Sequence, residues 1–325
     1  MRHAIILFAA LALAPGAEAK ITRYVTGNAA DVSPGPLSGP AHDFGGGGTD
    51  VDEALQWIID EVRGCTSCAT TVDVVILRSS GADGYNDYIY AMNGVDSVET
   101  LVITSRRDAD TSAVEATVLN AEVVFFAGGD QCNYTSYFKG TRVETAVEAV
   151  YARGGGVGGT SAGFAIQGEF VYDACDGSAT SAEILANPYH KHASFTYDFF
   201  SWANMGDVLT EQHLVPRDRM GRLLGFLARQ IQDGRTPTAL GFAVNERTSV
   251  VVDKKGVATV MGDGPAYFVL ADHFPEHCQP KQPLSYSGFK IWRVETGDTF
   301  NLRNRPSAGY YTISVTDGVL SGNPY

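Results

Sequence analysis

The 325-residue sequence is short of positive charge: 24 lysines and arginines stand against 37 aspartates and glutamates, a formal charge of −13. A phosphate-binding surface needs clustered cations, so this balance argues against nucleic acid as a partner. Long apolar runs are equally scarce. The one conspicuous run, AIILFAALALA, is too short to cross a bilayer comfortably and ends at Pro15-Gly16. Met1-Arg2-His3 precedes it and the small-residue site AEA at 17–19 follows. That combination reads as a secretory leader over 1–19 rather than an anchor, with the mature chain starting near Lys20 and destined for secretion or a periplasm. No cysteine follows the run, which argues against a lipoprotein anchor.

Cysteine is sparse and odd in number: Cys65, Cys68, Cys132, Cys175 and Cys278. An exported chain permits disulfides, and an odd count leaves at least one thiol unpaired. CTSC at 65–68 has no second CxxC and no paired histidines to complete a zinc shell, so a local disulfide or two unpaired thiols is the better reading. No metal and no cofactor is expected. The GGGG run at 45–48 lacks the G-x-G-x-x-G spacing of a dinucleotide site and reads instead as a tight turn at an active-site edge. Internal repeats and linker-like segments are missing too, so 20–325 is read as one domain. The sequon NYT at 133–135 is read as chance.

What is present alternates between helix and strand signals. DVDEALQWIIDEV places Val51, Leu55, Ile58, Ile59 and Val62 on one helical face, with Asp50 and Glu53 resembling a capping pair. VDVVIL (72–77), LVIT (101–104) and EVVFFAGG (122–129) are apolar and rich in β-branched residues, as buried parallel strands are. Thr141 and Glu144 form a capping-box pattern for a helix through about Arg153. GVGGT (156–160) reads as a short strand with a helix beginning at Ser161. After a polar stretch at 169–205 come a helix from about Arg219 to Ile231 and strands near 240–245, 248–253, 290–295 and 310–318. The prediction is an α/β protein: a mostly parallel sheet with helices on both faces. Ligands gather at strand carboxyl ends in such sheets, where FFAGGDQ and GVGGTSAG place their polar residues.

Gly159-Thr160-Ser161-Ala162-Gly163 matches the G-x-S-x-G nucleophile elbow, which also fits a tight turn that happens to hold a serine. A serine hydroxyl needs a base, and the base an orienting acid. The candidate bases are His42, His190, His192, His213, His273 and His277. His213 stands out in TEQHLVPRDRMGRL, just before a predicted helix start at Asp218 and followed by Arg217, Arg219 and Arg222. Arginines in a first helical turn oppose the helix dipole unless an anion lies nearby, and an acidic substrate would supply one. A solvated face with an ordinary salt bridge is the plainer alternative.

VVFFAGGDQ (123–131), GGTSAGF (158–164) and EQHLVPRDRMGRL (211–223) together resemble serine peptidase family S51 in order and spacing. Members of that family include cyanophycinase and aspartyl dipeptidase E, and the arginine run is most similar to the cyanophycinase branch. The resemblance covers most of the mature chain, from FGGGGTDVDEALQWII through GFAVNERTSVVVD. It implies a class I glutamine amidotransferase-like fold and a serine-type exopeptidase that cleaves β-linked aspartyl amides, with cyanophycin or short isoaspartyl peptides as substrate. It admits a homodimer. By the same resemblance Ser161 is the nucleophile, His213 the base and Glu246 the acid, with Glu169, Asp173 and Glu211 as competing acids. The backbone N–H groups of Gly129 and Ala162 form the oxyanion hole. Gln131, Glu211, Gln212, Arg217, Arg219 and Arg222 match substrate-pocket positions. Three departures from the family pattern are Glu211 in place of Asp, Asn245 in place of Asp, and Phe164 in place of Ala, the last expected to crowd the pocket wall. An α/β-hydrolase esterase would order its triad Ser, acid, His and draw on His273 or His277, but no HGGG-type loop is present. A non-catalytic exported binding protein of the same fold is the other alternative.

Overall fold

The computed structural model describes residues 21–325, so the leader read over 1–19 lies outside the described residues. Two mixed sheets organise the chain. The first has nine strands in the order Thr22–Gly27, Val95–Val102, Val72–Arg78, Val123–Phe126, Gly156–Thr160, Ala41–Gly45, Thr248–Val252, Val257–Gly262 and Thr299–Asn301. Its five inner strands from Val95–Val102 to Ala41–Gly45 are parallel, while its flanks are antiparallel. The second sheet has eight strands, and only Phe170–Tyr172, Val208–Glu211 and Ala239–Val244 run parallel.

The expectation of a mostly parallel sheet is therefore corrected. The parallel run exists, and it is only the centre of a larger mixed assembly. Past residue 245 every strand pairing is antiparallel, and the strands alternate between the two sheets with no helix between them.

Alternation along the parallel strands sorts their side chains to opposite faces. Val74, Ile76, Val123 and Phe125 pack with Leu55, Ile58, Ile59 and Val62 of the helix Asp52–Arg63. Val75, Leu77, Val124 and Phe126 face the other way, toward the helices Ser112–Asn120 and Arg142–Ala152. Helices thus cover both faces of the parallel run, as predicted. The second sheet contributes Leu240, Phe242, Val244 and Phe268 to that same core and turns its other face to the helix Met220–Gln232. No helix among the described residues is long and apolar enough to cross a membrane.

Local capping differs in detail from the sequence pattern. Val51, not Asp50, is the N-cap of Asp52–Arg63, and Asp50 instead accepts a hydrogen bond from the Tyr85 hydroxyl at 2.7 Å. Thr141 does start the helix Arg142–Ala152, but without a side-chain cap bond. A full capping box forms elsewhere, between Thr180 and Glu183 at the head of Ser181–Ala186. Cys65 pairs with Cys68, Cys132 pairs with Cys175, and Cys278 is buried and free.

Phe164 does not line a pocket, contrary to the expectation. It is fully buried between the sheets, 5.3 Å from the Phe44 ring of the first and 5.4 Å from the Phe242 ring of the second. Truncating it would leave a cavity with no solvent access. Phe164→Ala is expected to lower the unfolding free energy by about 3–5 kcal/mol, measurable by denaturant titration.

Candidate active site

Three strand ends converge where the two sheets meet. Ser161 follows the strand Gly156–Thr160 of the first sheet, at φ 53° and ψ −117°. Left-handed φ at a non-glycine residue is rare, and here it projects the hydroxyl off the turn. The elbow closes because its neighbours are small: a Cβ on Gly163 would lie 2.1 Å from the Phe126 carbonyl oxygen. His213 lies two residues beyond the strand Val208–Glu211, and Glu246 lies in the turn joining Ala239–Val244 to Thr248–Val252. That turn carries the chain from the second sheet back to the first.

The side chains meet in a line. Ser161 Oγ is 2.7 Å from His213 Nε2, and His213 Nδ1 is 2.6 Å from Glu246 Oε1. The carboxylate orients the imidazole with its proton on Nδ1, which leaves Nε2 free to accept the serine proton. The rival acids are placed elsewhere. Glu169 accepts the Asp207 N–H, Asp173 accepts the hydroxyls of Ser194 and Thr196, and Glu211 is wholly buried against arginines. The other histidines are also accounted for. His42 is buried against Phe44 and Tyr151, His273 contacts Asp272 and Tyr286, and His277 contacts Gln282. The esterase alternative thereby loses its base. His190 and His192 lie together in a separate turn.

The four-glycine run forms the back of the site. Ser161 N–H donates to the Gly45 carbonyl, His213 N–H to that of Gly46, and Arg247 N–H to that of Gly47, each at 2.9–3.0 Å. A Cβ on Gly47, at φ 99°, would lie 2.2 Å from His213 Cε1. Only glycine lets the loop press against the imidazole. The backbone of this run thus holds Ser161, His213 and the residue after Glu246 in place.

Gly128 packs beside the nucleophile, since a Cβ built there would stand 3.5 Å from Ser161 Cβ. At Gly129 the corresponding space is open, and φ is 142°. Ala162 is the first residue of the one-turn helix Ala162–Ala165, so its N–H has no helical acceptor. Gln131 opens the next helix, Gln131–Phe138, capped by Asp130. The Cys132–Cys175 bridge ties that helix to the segment after Phe170–Tyr172.

The arginines divide into two roles. Arg222 is 1% exposed and makes two bonds to Glu211, at 2.8 and 2.7 Å, with Arg219 Nη1 3.4 Å from the same carboxylate. Burial opposes the Arg222 charge, yet Glu211 outweighs it and holds the guanidinium above its ordinary value. Arg219 is pushed down to about 10 by burial, with Glu211 opposing. The anion that the sequence seemed to demand from a substrate is therefore supplied internally by Glu211. That corrects its assignment as a pocket residue, because its side chain is enclosed behind the arginines. Gln212 is buried, and its carbonyl accepts from Arg219 at 2.8 Å. The helix starts at Met220, with Arg219 as its N-cap, and the Asp218 side chain accepts from Tyr325 instead.

Arg217, Arg219 and Arg222 nonetheless border a recess of about 260 Å³, faced by Ser178, Ala179, Thr180 and Ser181. Three guanidiniums against one carboxylate leave it positive. Arg217 is half-exposed, with Nε 3.9 Å from Glu246, which joins the recess to the catalytic line. The hydroxyl wall at 178–181 lies within the polar stretch 169–205, and its local signal is the capping-box pattern T-S-A-E at 180–183.

No family model matches the chain. The cyanophycinase of Nostoc sp. (strain PCC 7120) is 27% identical over 224 residues, which is 67% of this chain and 69% of the relative. The cyanophycinase of Trichormus variabilis matches with the same identity and coverage. Among solved structures, a peptidase from an acI-B1 Actinobacterium superposes with a TM-score of 0.56 at 15% identity, covering 82% of this chain and 98% of that one, and so shares the fold. The scaffold is an α/β protein of mixed, partly parallel sheets, carrying a Ser–His–Glu line. Over two-thirds of its length the chain is similar to the cyanophycinases.

Two outcomes follow from this geometry. Gly47→Ala should displace the imidazole and slow labelling of Ser161 by a fluorophosphonate at least about a hundredfold, read as mass gain over time. The second concerns pH. Burial holds His213 below its ordinary value of 6.5, aided by Arg217 and Arg219 and opposed by Glu246. Protonated His213 cannot accept the serine proton, so labelling should fall on the acid side with a midpoint below 6.5. Removing a nearby cation favours the protonated form, so Arg217→Ala should move that midpoint upward in a pH–rate profile.

Proposed function

We propose that this chain is an exported serine-type exopeptidase that hydrolyses β-linked aspartyl amide bonds through an acyl-enzyme, with cyanophycin as the leading substrate. The observation that carries the reading is the continuous Ser161–His213–Glu246 hydrogen-bonded line beside an arginine-bordered recess. The homology to cyanophycinases supports the substrate class, and a class I glutamine amidotransferase-like arrangement is the fold we assign. Two disulfides are in keeping with export to a periplasm or the medium.

In this mechanism Ser161 Oγ attacks the side-chain carbonyl of the aspartyl unit while His213 Nε2 takes the hydroxyl proton. Glu246 stabilises the imidazolium that forms. The N–H groups of Ala162 and Gly129 receive the developing oxyanion. His213 then gives its proton to the leaving amine, and a water molecule, deprotonated by the same nitrogen, releases the acyl group from Ser161. Arg217 and the accessible edge of Arg219 hold the free α-carboxylate that a β-linkage leaves beside the scissile bond. Arg222 is committed to the buried Glu211 carboxylate, which it shares with Arg219, rather than to substrate. By the family resemblance Gln131 and Gln212 are assigned to the substrate pocket. No metal or cofactor takes part in this scheme, and the partner is the peptide or polymer, either with the monomer or with a homodimer.

The experiment compares turnover of cyanophycin, β-Asp-Arg, β-Asp-Leu and α-Asp-Leu, with Ser161→Ala as control. The expected result is hydrolysis of the β-linked substrates alone, abolished in Ser161→Ala. Preference for dipeptides over polymer would make the enzyme an isoaspartyl dipeptidase. Equal cleavage of α-Asp-Leu, or no cleavage with undiminished ligand binding by Ser161→Ala, would overturn the proposal.

A further inference from the structure

The turn after the helix Ser181–Ala186 holds a group of side chains that the hydrolytic scheme does not use. Glu183 lies in the first turn of that helix, and His190 and His192 lie just beyond its end. One donor atom from each falls within 4.8 Å of the others. Glu183 Oε1 and His190 Nε2 are 3.9 Å apart, too far for a hydrogen bond and unlike a paired His–Glu contact. His192 Nδ1 is buried with no hydrogen-bond partner among the described residues. Polypeptide contacts alone leave this cluster unsatisfied.

We infer that Glu183, His190 and His192 form a binding site for a divalent transition-metal ion of the zinc class, separate from the catalytic line. Two imidazoles and one carboxylate are a donor set suited to zinc, and tetrahedral bonds of about 2.0–2.2 Å put neighbouring donors roughly 3.3–3.5 Å apart. The observed gap closes to that with small side-chain rotations. The scaffold around the donors is already braced. The second oxygen of Glu183 is held by the Thr180 N–H and hydroxyl at 2.8 and 3.0 Å, leaving Oε1 to ligate. Between the histidines' turn and the neighbouring helix, the Tyr189 hydroxyl donates to Asp233 at 2.6 Å, and the Arg229 guanidinium lies 3.7 Å from its ring centroid. Binding through His190 Nε2 requires the proton on Nδ1, so it displaces only the long 3.4 Å contact from His192 N–H. The three residues are partly buried, and the exposed portions of the Glu183 and His190 side chains leave the remaining coordination position to water.

The site has a structural consequence. Glu183 belongs to the segment whose Ser178–Ser181 stretch walls the arginine recess, and His192 packs beside Gly177 at the start of that segment. A bound ion would therefore tie Glu183, at one end of the wall, to the histidine that packs against its other end.

Untagged full-length mature chain, stripped with chelator, is titrated with Zn²⁺ by calorimetry. The site predicts one saturable equivalent per chain, weakened at least about a hundredfold in the His190→Ala/His192→Ala double variant, since even outer-sphere changes cost ten- to a hundredfold. Fluorophosphonate labelling of Ser161 in the metal-free double variant should match the metal-free parent, showing that the fold is kept. Should that variant fail to fold, Glu183→Gln keeps a capping-box residue and should still weaken zinc binding by about tenfold or more. No saturable equivalent, undiminished affinity in these variants, or an equivalent lost only in His213→Ala would overturn the inference.

Discussion

The site depends on the backbone of one short loop. Carbonyls of Gly45, Gly46 and Gly47 take the N–H groups of Ser161, His213 and Arg247, the residue after Glu246. Ser161 comes from one sheet and His213 from the other, so their 2.7 Å separation is a statement about how the sheets dock. A loop carrying side chains could not lie flat between them, because the imidazole occupies the volume a Cβ at Gly47 would need. Preorganisation of the Ser–His contact thus rests on the absence of side chains at a junction.

Electrostatics are arranged in depth around that junction. Glu211, at the end of its strand, is enclosed by the guanidiniums of Arg222 and Arg219. Such a buried pair is weak evidence for stability in itself, because desolvation offsets most of the attraction. What it does is fix Arg222 and orient Arg219, leaving Arg217 as the accessible cation beside Glu246. Burial holds the His213 imidazole below its ordinary value, with Arg217 and Arg219 adding to that and Glu246 opposing it. Asn245 shows the same economy of placement. Its side chain accepts the Val215 N–H at 3.0 Å and donates to the Pro265 carbonyl at 3.0 Å, a pairing in which an ionised aspartate could serve only as acceptor.

Much of this was legible in the chain. The strand Gly156–Thr160 and the elbow after it could be read from small residues alone, since local sterics demand them. The helix Asp52–Arg63 followed from its apolar spacing. Other readings failed where a partner distant in sequence decides. Phe164 beside the nucleophile looked like a wall residue, but its ring turns inward between Phe44 and Phe242. Asp50 looked like a cap and instead serves Tyr85, thirty-five positions away. The arginines appeared to call for an external anion because Glu211 sits eight and eleven positions before them, on a strand whose facing partners no local pattern reveals.

The sequence by itself determined the reactive residue types, their order, and the alternation that sorts side chains to the faces of the parallel strands. Those properties follow from covalent geometry and from patterns a few residues long. Only the tertiary structure decided that the sheets are mixed, that Glu246 rather than Glu169 or Asp173 reaches His213, and that Glu211 is enclosed by arginines. Each of these depends on burial and on contacts between distant segments, where desolvation makes every charge and every donor find a specific partner.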